Sequence, residues 1–525
     1  MNKPTPSVST PPVSTTNPPR RHAFALAVGA AFALPQVAYA LPTDPQVVSG
    51  TSIITTPTTT SMVVNQTTVT SIVNWRGFNT VAGESVKVFQ PTDGRALYRV
   101  SDPVNFHGSL SATGRIILTS PLGAYFGAGA LVDVGSLIVT TLSMSNADFN
   151  DGRYVFGNVG ATGSVINNGT ISAPNGYVAL LGPQVANNGL IAARMGSVAL
   201  AAGDKITLDM VGDGLIKVTV DEAALNAAAM NKGTIEADGG NVFLTARSAN
   251  ALLDTVINTD GVIRANSIGS RNGVITLDGG DRGIVTVSGT LEASGKGAGQ
   301  TGGDVSVLGQ YVGLTGNASI DVSGDAGGGT ALIGGDFQGK NPNVQNAFRT
   351  YVGSGATINA DAINSGNGGK VIVWADDTTK FYGSISAKGG AQSGDGGFVE
   401  VSGKQTLHFN GEVDTTAPHG ATGTLLLDPA TLQITNGAAV ANDLSTNAAD
   451  GTVLAADADG VTTNGVAEVT LEGLLATTNV ILEATGQITV NDLADNLLNM
   501  AQTGGAANFR MTSTTSGGIT FVSAA

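Results

Sequence analysis

The chain has 525 residues, of which 73 are Gly and none is Cys; 42% are hydrophobic, 12% charged and 5% aromatic. The apolar content excludes a disordered chain, the aperiodic Gly excludes collagen, and the missing Cys excludes disulfides and thiolate metal sites. A net charge of −15 argues against a nucleic-acid partner, which needs a basic face.

The first element is an export signal. Residues 1–19 are rich in Pro, Ser and Thr; Arg20, Arg21 and His22 then precede a short apolar run from Ala23 to Leu34. The run leads to Ala38-Tyr39-Ala40, a small-x-small pattern that marks Ala38 and Ala40 as cleavage-site residues. The run is too short to span a bilayer, and no later stretch approaches that length. Phe24-Ala25-Leu26 sits out of phase for twin-arginine export, so general secretion is preferred. A chain that crosses the periplasm unfolded is also served by having no Cys to oxidise.

Beyond Leu41 the pattern becomes short alternating runs punctuated by Gly and Asn. Asn168-Gly169-Thr170-Ile171, Asn188-Gly189-Leu190-Ile191 and Lys232-Gly233-Thr234-Ile235 each lead, after a Gly turn, into a second alternating run. Ile235, Ile263, Leu291, Ile320, Ile358, Ile385 and Val413 continue the series. A recurring phrase of this length, built from period-two runs, predicts an all-β solenoid: a parallel, right-handed β-helix with inward Ile, Val and Leu stacked in ladders. Gly and Asn suit the corners, which often require φ > 0. Two segments read as helices, Asp221 to Met230 and Asp492 to Gln502. The domain reading is a signal at 1–40, a secretion domain with an N-terminal cap at 41–290, shaft repeats at 291–430 and weakly ordered coils at 431–525. No polar cap follows Val522, so the C-terminal end is expected to fray.

The residues from Ile72 to about Ala265 resemble the secretion domain of the filamentous haemagglutinin family, the exoproteins of two-partner secretion. The resemblance is carried by Asn74-Trp75-Arg76-Gly77-Phe78-Asn79, Gly83-Glu84-Ser85-Val86, Phe89-Gln90-Pro91 and Leu97-Tyr98-Arg99-Val100, with Tyr98 where Asn is usual. Gly182-Pro183-Gln184-Val185-Ala186-Asn187 and Val198 to Asp204 extend it. Gly368 to Asp376, Gly396 to Gly403 and Gly423 to Pro429 are similar to shaft segments of the same family. The family's NPNGI turn is replaced by Ser120-Pro121-Leu122-Gly123-Ala124, and a Leu at position 122 tolerates left-handed φ less cheaply than Asn. The resemblance implies an adhesin, secreted or held at the cell surface. It also implies an outer-membrane β-barrel transporter as partner, with Asn74, Trp75, Phe78, Ser120, Pro121, Leu122 and Gly123 as candidate recognition residues.

A carbohydrate-active β-helix enzyme is the rival class. Its best candidates are Asp376 and Asp377 beside Trp374, with Lys380 nearby, since paired carboxylates can bind Ca²⁺ or raise one pKa for general-base work. A polar turn after the strand Val371-Ile372-Val373 explains them more simply, so no catalytic, metal or cofactor site is expected. Gly297 to Gly302 fits GxGxxG, but a strand follows it; Gly334 to Lys340 fits GxxxxGK, but Asn341 stands where Ser or Thr would hold Mg²⁺.

Overall fold

A computed structural model describes residues 41–157, 159–210, 215–249, 255–436, 465–493, 497–498, 508–514 and 517–522. The described residues from 41 onward wind into a parallel β-helix whose coils contribute strands to three faces. One face is built from three-residue strands such as Thr170–Ser172, Leu190–Ala192 and Thr234–Glu236. A second holds longer strands such as Tyr177–Gly182 and Ser197–Ala202, and a third forms a 15-stranded sheet.

The inward ladder predicted from the repeat is present and longer than the sequence reading made it. Met62, Val86, Leu110, Val132, Ile171, Ile191, Ile235, Ile263, Leu291, Ile320, Ile358, Ile385 and Val413 oppose one another rung by rung. All are buried. The ladder passes unbroken through Leu291, where the sequence reading placed a domain boundary. The spacing of identical rungs near 4.8 Å brings each side chain into van der Waals contact with the next, which is why β-branched residues recur.

Glycine is required where one coil's corner lies on the next. A Cβ at Gly196 would fall 1.6 Å from the Gly176 carbonyl oxygen, and one at Gly240 would fall 1.8 Å from that of Gly196. Asn fills a different corner. Asn167 Nδ2 donates to Asn187 Oδ1 at 2.8 Å, and Asn187 Nδ2 donates to Asn231 Oδ1 at 2.9 Å. This fully buried column satisfies its own polar groups, as burial demands.

Antiparallel strands occupy the edges of the first coil: Gln46–Ser49 pairs with Thr70–Trp75, and Ser52–Thr58 pairs with Ser61–Gln66. They cover hydrogen-bonding groups that would otherwise be open. An excursion packs on the outside of the second face. Helix Asn146–Asp151 is capped by Ser145 and ends at Gly152 with φ 72°; the strands Tyr154–Gly157, Lys205–Met210 and Ile216–Glu222 form an antiparallel sheet beside it. Phe149, Phe156, Ile206 and Leu208 bury Ile72, Leu97, Ile117 and Ile138, which point outward from the coils.

The helix expected over Asp221 to Met230 is not formed. Ile216–Glu222 and Ala228–Asn231 are strands, and Ala229 is an inner rung between Val185 and Ile257. Alanine's small size suits the core position, and tertiary packing overrides its helix propensity. The second expected helix, Asp492 to Gln502, lies largely outside the described residues. A helix forms instead at Glu468–Leu475, with Leu471, Leu474 and Leu475 in the core. Just before it, Gly465–Ala467 inserts between Thr406–Phe409 and Leu432–Thr435, so the rungs depart from chain order there.

Candidate functional site

The candidate recognition residues divide into core and surface. Thr70–Trp75 and Arg95–Val100 lie side by side in parallel, which sets Trp75 beside Val100. The Trp75 ring lies 5.4 Å from Phe78 and 5.7 Å from Tyr98, both edge-on; Phe78 lies 6.3 Å from Phe106, and Phe106 lies 5.8 Å from Phe126. All five aromatic residues are buried. Tyr98 therefore fills the aromatic core, and burial pushes its hydroxyl pKa upward. Trp75 and Phe78 are closed to any partner that meets the folded chain, whereas Asn74 is exposed.

The turn at 120–123 closes without the family's Asn residues. The Gly123 N–H donates to the Ser120 carbonyl at 2.9 Å, and the left-handed residue is Gly123 with φ 109°, not Leu122. The buried Ser120 donates through Oγ to the Asp102 carbonyl at 3.0 Å. The N–H groups of Thr162 and Gly163 donate to the Pro121 carbonyl, which locks the turn onto the next coil. Pro121 and Leu122 form its outer tip, with Leu122 exposed. The cleavage-site residues Ala38 and Ala40 lie outside the described residues.

The carboxylates weighed for catalysis do not converge on a shared ligand. Asp376 accepts from Trp374 Nε1 and Asn346 Nδ2, each at 3.1 Å. Asp377 accepts from Arg349 Nε at 2.9 Å. Lys380 is buried on the third face, level with His408 in the next coil. Burial and the Lys380 charge bring the His408 pKa down to about 4.

A more unusual pair of carboxyls lies beneath a strap that sequence reasoning missed. Ile320 and Ile358 are 38 positions apart, whereas the other rungs from Ile235 to Val413 are 27 to 29 apart. The additional residues, 334–347, contain both the GxxxxGK string and Asn341-Pro342-Asn343, and they fold over the outside of the second face. The Gln338 N–H, at φ 51°, donates to Glu400 Oε2 at 3.0 Å, while its Nε2 donates to Asp428 at 2.8 Å. Phe337 meets Phe398 edge-on at 5.7 Å, and Asp336 pairs with Lys370. Gly335 and Gly339 lie against the Trp374 ring, where a Cβ would come within 2.7 Å and 2.6 Å of its atoms. Glu400 is fully buried, and desolvation pushes its pKa up to about 7 against the opposing pull of the Gln338 N–H. Asp428 is also raised, chiefly by burial. In the sequence the strap shows as a long step between two ladder residues and as the discounted string Gly334 to Lys340.

A solenoid with paired opening edges, an excursion sheet on one face and the aromatic entry motif in its core defines the class: a β-helical exoprotein domain. The family model for the TPS secretion domain matches residues 38–307, just over half of the chain, and the chain belongs to that family of two-partner secretion exoproteins. The HMW1 secretion domain from Haemophilus influenzae has the same fold, with a TM-score of 0.64 and 29% identity, over 72% of this chain and 99% of that one. A heme/hemopexin-binding protein of Haemophilus influenzae strain Rd is 30% identical over 232 residues, covering 42% of this chain and 25% of the relative. A second heme/hemopexin-binding protein of the same species is 28% identical over 262 residues, covering 45% and 28%. The matched regions thus span about a quarter of the length of these curated relatives.

Proposed function

We propose that this protein is delivered to the periplasm by its N-terminal signal and carried through the outer membrane by a dedicated β-barrel transporter. Outside the cell it acts as an adhesin, by binding rather than by catalysis. The observation that carries the export reading is the match of residues 38–307 to the TPS secretion domain. The burial of Trp75 and Phe78 supports recognition before folding, because only an unfolded chain offers them to a partner. Coil-by-coil folding outside the cell then biases transport outward without ATP. The separate partners of Asp376 and Asp377 favour a structural turn over a catalytic pair.

Deleting residues 72–149 should leave the protein in the periplasm, whereas deleting 366–525 should still allow release; fractionation and immunoblotting read both. Release of the first variant at the parental level would refute the reading. The Ser120→Asn, Leu122→Asn double variant should be secreted at least as well as the parent, since Gly123 already carries the left-handed conformation. For adhesion, the secreted chain should bind host cells, sister cells or abiotic surfaces above an acidic control protein. Heme and hemopexin belong in the same binding panel because of what the two relatives are named for.

A further inference from the structure

Glu84 is a carboxylate where the core has little use for one. It is only 4% exposed, at the end of a turn closed by its own N–H to the Val81 carbonyl at 3.1 Å. Its Oε2 accepts two backbone N–H groups: Val81 at 2.8 Å, three residues back, and Leu41 at 3.1 Å, 43 residues back. Leu41 is itself buried, and its φ is 61°, an uncommon value for a leucine and one placed here immediately before Pro42. Thr43 and Gly77 hold the segment by a bridge, with Thr43 N–H to Gly77 O at 2.9 Å, and Asp44 pairs with Arg76 at 2.6 Å.

We propose that Glu84 is the receptor for the α-ammonium group created when the chain is cut between Ala40 and Leu41, and that this ion pair fastens the N-terminal strands to the solenoid. The inference rests on the signal reading given above. The small-x-small pattern at Ala38-Tyr39-Ala40 directs hydrolysis to the Ala40–Leu41 peptide bond: water adds, the Ala40 carboxylate leaves, and Leu41 keeps a protonated amine. That amine is the atom already 3.1 Å from Glu84. Cleavage converts a neutral N–H donor into a cation facing a buried carboxylate, and charge-assisted hydrogen bonds are about twice as strong as neutral ones. It also removes the residue before Leu41, whose carbonyl makes φ near +60° costly for an L-amino acid. Both changes strengthen a contact that the uncleaved chain already makes, so processing tightens the cap.

The pH dependence has a definite sign. A free α-amine ordinarily titrates at about 7.7–8.0, and a carboxylate partner raises that value in the folded state. The stabilisation is therefore complete below pH ~7.7 and is lost as pH rises through the raised pKa. The nearby charged groups of the cap are Asp44 and Arg76, which pair with each other.

The test uses the secreted full-length protein in three forms: parent, Glu84→Gln, and a chain that retains one additional residue before Leu41. Mass spectrometry of the N-terminus should find Leu41 first in the parent; a different first residue would overturn the signal reading itself. Protease protection of residues 41–75 is then followed from pH 6 to pH 10. The parent should lose protection on the order of tenfold across the amine titration, and both altered forms should start near that lower level and show no such step. Combining the two changes should add no further loss. A parent starting at Leu41 whose protection and pH profile match those of the extended chain would overturn the ion pair while leaving the export reading intact. The extended chain retains Glu84, so it decides the matter even where Glu84→Gln folds poorly.

Discussion

Ile263 shows how strictly the inner column is specified. It lies between Ile235 and Leu291 with no exposed surface. Replacing it with Asp buries a carboxylate with no partner and should destabilise the fold by several kcal/mol, whereas Ile263→Val should cost about 1 kcal/mol. Chemical denaturation of the two variants checks the contrast, and equal midpoints would contradict the inward assignment. These positions were legible in the sequence because each rung repeats the same inward residue type after the same Gly corner. Glu84 was legible only as part of a motif. Its partner Leu41 lies 43 residues away, and no periodicity connects them.

At the level of single elements, the strap at 334–347 behaves as a device with its own titration. Glu400 has an ordinary pKa near 4.5 and is pushed up to about 7 beneath the strap. A raised carboxyl pKa means that the docked strap holds the proton more tightly than the released one. Its stabilisation is present below the ordinary pKa and is lost as pH climbs from 4.5 to about 7. The groups around it are Gln338, Ser402, Asp428 and Lys370. Glu400→Gln should flatten this slope, so that thermal midpoints at pH 5 and pH 7.5 lie closer together than in the parent; an unchanged slope would remove Glu400 from the account. The strap was not legible because its contacts reach 62 and 90 residues along the chain, to outward positions that a solenoid normally leaves in water. The misread helix at 221–230 failed for a related reason. Alanine-rich sequence favours a helix until a neighbouring coil offers Ala229 a core position.

For the molecule as a whole, stability should be graded along the coil axis. Central rungs have a neighbour on both sides, while among the described residues Phe509–Ser513 and Ile519–Phe521 pair on one side only, and Phe521 is 70% exposed. Limited proteolysis should therefore cut first beyond Val490, and the amides of 509–513 should exchange before those of 178–200. Uniform protection through Val522 would contradict a nearest-neighbour solenoid. The strap changes what such a body does when it is held at one end and dragged at the other. Tension along the axis loads the coil-to-coil hydrogen bonds, and a simple stack peels one rung per event at low force. Residues 334–347 fasten Trp374, Phe398, Glu400 and Asp428 from outside, across the strands Lys370–Ala375, Phe398–Gly403 and Thr424–Leu427. Those rungs cannot peel singly until the strap lets go, so extension there should come as one long step at higher force.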